Sequence, residues 1–131
     1  MKAKWKHYNI TATYTGSKPA RWGGNGENWN HHNVRVYNRK TICACRFDFW
    51  CSIARPQMEK EYDVLNAFYC FISDAISGAY SAEEFSQEFG YTDPREGLKI
   101  WRACQRAYEK AERVIDGDLY DTANELSEIA G

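Results

Sequence analysis

The period of the apolar positions changes near Pro56. Before it, β-branched and aromatic residues alternate with polar ones, as in half-buried strands; beyond it, apolar residues recur every three or four positions, as in helices. Tyr8-Asn-Ile-Thr-Ala-Thr-Tyr14 reads as a strand that stops at Gly16, and Asn33-Val-Arg-Val-Tyr37 as a second. A hairpin turn at Asn38-Arg-Lys40 leads into a third strand, Thr41 to Ser52. Between the first two, Ser17 to Asn30 holds one Pro, three Gly, two Trp and three Asn and reads as a long loop. Strand side chains alternate faces, so Cys43, Cys45, Phe47, Phe49 and Cys51 form a core face. Ala44, Arg46, Asp48 and Trp50 point the other way, with Trp50 either half-buried under a helix or exposed to a partner.

The helical half begins with Gln57 to Ser77, which turns Tyr62, Leu65, Phe68, Tyr69, Ile72 and Ile76 inward and stops at Gly78. Ser81-Ala-Glu-Glu84 is a capping box that opens a short helix with Phe85 and Phe89, closed by Gly90. Asp93-Pro94 sets an N-cap before a proline at the first helical position, and the helix it starts ends near Gly117. Asp118 caps a last helix with Leu119, Ala123, Leu126 and Ile129 or Ala130 inward. The order predicts an α+β protein. A small antiparallel sheet of about three strands, residues 1–55, packs against a bundle of about four helices, residues 56–131, in a single domain spanning 1–131.

Charge changes this picture most in the helix after Pro94. Arg95, Lys99, Arg102, Arg106, Lys110 and Arg113 fall at steps of three and four. At about 100° per residue they lie within roughly 80° of one another, in a cationic stripe about 27 Å long. Ile100, Trp101, Cys104, Tyr108, Ala111 and Ile115 lie opposite, as an apolar face fit for a core. The net charge of -1 conceals an asymmetry between the halves. Residues 1–56 carry ten Lys/Arg against Glu27 and Asp48; residues 57–131 carry seven against sixteen Asp/Glu, and the stripe holds six of those seven. Like charges along a helix cost a few tenths of a kcal/mol per pair, so compensation is expected. Nucleic-acid phosphate, an acidic protein or the chain's own acidic helices are the three sources.

Composition adds bounds. A length of 131 residues with 15 % aromatics suits one domain with its own core. No apolar run approaches the roughly 18–20 residues that span a membrane. The basic start MKAKWKHYNITATYTG lacks the apolar centre of a signal peptide. The expectation is a soluble, cytoplasmic protein with no membrane partner and reduced thiols, consistent with its five cysteines.

Catalytic and metal chemistry find little purchase. Cys43, Cys45 and Cys51 with His31-His32 suggest zinc, but there is no Cys-x2-4-Cys pair and the cysteines share a core face, so no metal or other cofactor is expected. No nucleophile elbow, P-loop, His-Glu-x-x-His or dinucleotide glycine pattern occurs. His7, His31 and His32 fall in irregular or edge segments, with His31-His32 as a loop pair. The chain reads as no enzyme, with no catalytic residues. The loop's Arg21, Trp22 and Trp29 are residue types favoured at binding hot spots, although the tryptophans would equally fold back as a lid over the sheet.

Several segments resemble a group of small proteins encoded by tailed phages and prophages. They are Cys45-Arg-Phe-Asp-Phe-Trp-Cys-Ser52, Glu61-Tyr-Asp-Val-Leu65, Phe85-Ser-Gln-Glu-Phe-Gly-Tyr91 with Asp93, and Trp101-Arg-Ala-Cys-Gln105. The resemblance covers residues 45–105 and implies a phage setting and a fold, without a mechanism. Small phage proteins without catalytic motifs often block host machinery, CRISPR effectors among them, which is an analogy of context. The leading expectation is therefore a non-enzymatic, anti-CRISPR-like inhibitor of a host defence complex. It would bind a host protein or nucleoprotein through the stripe and the residues Arg21, Trp22 and Trp29. The alternative is a phage nucleic-acid-binding accessory protein that sets the same basic surfaces on phosphates. A DNA mimic is disfavoured because the chain is near neutral.

Overall fold

Lys2-Ala-Lys-Trp5 alternates charged and apolar residues, and this period of two makes it a strand that turns Ala3 and Trp5 inward. The structure, a computed structural model, describes residues 1–19, 28–38, 42–51, 60–77, 81, 83–84, 93–115 and 118–130. Four strands, β1 (Lys2–Trp5), β2 (Tyr8–Pro19), β3 (Asn28–Asn38) and β4 (Ile42–Cys51), form one antiparallel sheet in the order β1-β2-β3-β4. Three helices follow among the described residues: α1 (Glu61–Ser77), α2 (Pro94–Val114) and α3 (Leu119–Ala130). The class is α+β, with one strand more than the sequence pattern suggested. That strand is β1, whose short length and two lysines masked its alternation. Of the short helix expected at 81–90, Glu83 and Glu84 are helical and the Ser81 hydroxyl accepts from the Glu84 N–H at 3.1 Å. Phe85, Phe89 and Gly90 lie outside the described residues.

The β2–β3 hairpin is longer than expected, and the cause is local. The register shifts between Tyr14 and Gly16, leaving Thr15 as the extra residue of a bulge, with Gly16 at a φ of 120° that side chains rarely adopt. Gly16 therefore bends the strand where the sequence reading had it stop. Pairing resumes as Ser17↔Asn30, Lys18↔Trp29 and Pro19↔Asn28. At the β1–β2 turn Lys6 takes a positive φ of 53°, a conformation that costs a non-glycine residue about 1 kcal/mol. Its ammonium is held 2.6 Å from Glu125 and 4.8 Å from the Trp5 ring centroid.

The inner face of the sheet carries Trp5, Tyr8, Ile10, Val34, Val36, Cys45 and Phe47, all buried. Val64, Leu65, Ala67, Phe68, Phe71 and Ile72 of α1 cover it, with Trp5 edge-on to Phe68 at 6.0 Å and Phe47 stacked on Phe71 at 4.2 Å. Tyr62, expected inward, is 48 % exposed. On a helical wheel it sits well over 100° from the centre of the buried arc set by Val64, Phe68 and Phe71. α3 packs on α1 through Leu119, Thr122 and Leu126, and Ile129 beyond them is 51 % exposed. α2 packs against β4 and enters the core at Ala111 and Ile115. Both helix starts are as the caps require: Asp93 accepts from the Arg95 N–H at 3.0 Å and Asp118 from the Tyr120 N–H at 2.8 Å. α2 ends at Val114, with Ile115 as its C-cap, slightly before Gly117.

Candidate functional site

The six basic positions of α2 follow from its 3.6-residue turn: each of Arg95, Lys99, Arg102, Arg106, Lys110 and Arg113 is exposed. Acidic side chains of the other helices were the internal alternative. Among the described residues no stripe side chain forms an ion pair; the pairs present there are Lys6–Glu125 and His31–Asp48. The remaining expected contact residues belong to segments outside α2. Arg21 and Trp22 lie outside the described residues, and Trp29 is half-buried in β3, so it belongs to a strand and not to a loop.

The opposite face of α2 borders a cleft of about 570 Å³ between α2, α1 and the edge of β4. Ile100, Cys104 and Tyr108 of α2, Cys70 and Asp74 of α1, and Arg46, Asp48 and Trp50 of β4 contribute to its walls. The Phe71 ring lies 5.7 Å from that of Tyr108 and continues the Phe47 stack into this wall. Burial raises the Asp74 carboxyl above the usual carboxylate range. Burial also raises the Cys70 thiol, with Asp74 adding to it, and the Cys104 thiol, with Asp48 and Asp74 adding to it. The Tyr108 hydroxyl is raised as well, by burial first and then by Cys104 and Asp74. At neutral pH these thiols and the phenol keep their protons, and a protonated thiol is a poor nucleophile.

His31 and His32 correct the sequence reading. They are consecutive residues of β3, an interior strand, and alternation sends them to opposite faces, both buried at 7 % and 1 % exposure. On the outer face the His31 Nε2 lies 2.9 Å from Asp48 Oδ1, its Nδ1 contacts the Thr15 hydroxyl, and its ring packs 4.3 Å from that of Trp50. Thr15 is brought there by the bulge. This hydroxyl–imidazole–carboxylate order is that of an activated nucleophile, but only Asp48 of the three lines the cleft. The Thr15 hydroxyl also lies 3.3 Å from the His31 carbonyl, a position to donate to it, which ties the bulge to the neighbouring strand. On the inner face His32 sits 5.3 Å from the Tyr14 ring and 4.0 Å from Cys51 Sγ. Burial, then His31, lowers its pKa and keeps the ring neutral. Tyr14 donates to Asn30 Oδ1 at 3.0 Å.

Sequence reasoning missed these groups for one reason. With Asn28–Asn38 taken partly as loop, the strand parity that separates His31 from His32 and pairs His31 with Trp50 was hidden. Cys45 is buried, as the odd core face of β4 requires, and Trp50 is half-buried. Among the described residues no three His, Cys, Asp or Glu side chains converge as metal ligands, and no helix is long and apolar enough to cross a membrane. Comparison of the chain with protein-family models, with curated proteins and with solved structures finds no match.

Proposed function

We propose that this is a non-enzymatic, phage-encoded binding protein that inhibits or modulates a host defence complex in an anti-CRISPR-like manner. Its contact surface is the basic face of α2. One observation carries the reading: six cations stand exposed along one helix face and, among the described residues, ion-pair with no acidic group of their own chain. A row of like charges opposes its own helix by a few tenths of a kcal/mol per neighbouring pair, and an anionic partner offsets that cost. The phage setting rests on the segments between residues 45 and 105 that resemble phage and prophage proteins. Protonated thiols at Cys70 and Cys104 and a neutral His32 support binding over catalysis.

Capture from host lysate, with and without nuclease, tests it, with the Arg102→Glu/Arg106→Glu variant in parallel. The expected result is one defined complex, recovered in both conditions and lost with the double reversal. Equal recovery by the variant would make the stripe a solvated face with no partner. A second reading, binding of nucleic acid, draws support from the outer sheet face, where Lys2, Lys4, Arg35 and Arg46 are also exposed. It predicts mixed, nuclease-sensitive recovery and binding that weakens steeply with added salt.

A further inference from the structure

The cleft on the inner side of α2 has the opposite electrostatic character from the stripe. We propose that it is a binding site for a small organic cation, a protonated amine or amidine carried on a flat apolar body. The cleft's volume of about 570 Å³ falls within the range of small-ligand sites. Its apolar walls are largely aromatic: the indole of Trp50, the stacked ring of Phe71 and the ring of Tyr108 come from β4, α1 and α2. Aromatic faces attract cations through their quadrupole, most strongly where water is displaced.

The charges lining the cleft favour the same class. Two carboxylates, Asp48 and Asp74, face one guanidinium, Arg46, while the thiols of Cys70 and Cys104 and the Tyr108 hydroxyl stay neutral. Asp48 is engaged by His31. Asp74 has no hydrogen bond or ion pair among the described residues, and its surroundings disfavour its charge. Asp74 is exposed at the cleft, and a cation seated against it would pair with it through a charge-assisted hydrogen bond, with its apolar body against the rings. An anion would meet two carboxylates against a single guanidinium. This site and the stripe occupy different faces of α2, so the proposal stands or falls independently of the binding function assigned to the stripe.

Isothermal titration of the intact protein with benzamidine and with phenethylamine is the test, with benzamide as the neutral isostere of the first and benzoate as its anion. The expected result is saturable one-site binding of at least one cation, benzamide weaker than benzamidine by about tenfold or more, and no binding of benzoate. Asp74→Asn should weaken the cation by about tenfold, whereas Arg102→Glu/Arg106→Glu should leave it unchanged. Failure of both cations to bind, or benzamide binding as well as benzamidine, overturns the proposal on the unaltered protein, whatever the variants do. Unchanged affinity in a folded Asp74→Asn protein overturns it equally.

Discussion

On its solvent face α2 carries six cations that meet no described acidic group, while its inner face sets Ile100, Cys104 and Tyr108 against a cleft lined by Asp48 and Asp74. The two faces differ in what holds them in place. The inner face is fused to the core through the Phe47–Phe71–Tyr108 rings and through Ala111 and Ile115, so its geometry is part of the fold. The outer face is exposed at all six basic positions, so its substitution should leave the fold intact. That surface is the one on which the proposed partner would dock.

Removing the shared ring separates the faces most forcefully. Phe71→Ala should destabilise the protein by about 3–5 kcal/mol in urea unfolding, because a stacked, buried ring leaves a cavity between sheet and helix. A loss below about 1 kcal/mol would mean that the cleft wall is not core. Arg102→Glu/Arg106→Glu is the complementary change. It should cost about 2–3 kcal/mol of partner affinity, measured by titration against the captured complex, with unfolding stability within about 0.5 kcal/mol of the parent. Asp93→Ala removes the cap on which both faces depend and should cost about 1 kcal/mol, visible as a lower thermal midpoint.

The smallest effect is expected at Asp74. Its carboxyl is raised in the folded state, so the folded protein binds that proton more tightly than the unfolded chain. The charged form is therefore a burden that appears as pH rises through the unfolded and then the folded pKa. Asp74→Asn should raise stability slightly at neutral pH, by less than about 1 kcal/mol because solvent reaches the group. The gain should fade as the solution is acidified below the usual carboxylate range, followed by unfolding curves across pH. A gain that persists in acid would place the effect elsewhere than in the charge.

The two faces were also unequally legible in the sequence. The stripe and its caps were legible because everything that makes them is local: the Asp93-Pro94 start, the three- and four-residue spacing, and the apolar arc opposite. The cleft was not, because Trp50, Asp74 and Tyr108 come from three elements whose meeting depends on tertiary packing. β1 escaped notice because a four-residue alternation with lysines is a weak signal until β2 pairs with it. His31 and His32 were misread because a glycine that looked like a stop instead supports a bulge, and one misplaced strand start hides which face each residue takes. The inner and outer faces of β4 were legible from parity alone, with Cys45 and Phe47 buried and Arg46 and Asp48 exposed.

The most direct test of the stripe is the acetylation of its two lysines, Lys99 and Lys110, read by mass spectrometry in the protein alone and in the complex captured from host lysate. Exposure without an ion-pair partner among the described residues predicts that both react in the free protein as fast as Lys2 and Lys4, and that both are protected in the complex. Slow reaction in the free protein, or equal reaction in the two states, would contradict the assignment of this helix face to an external partner.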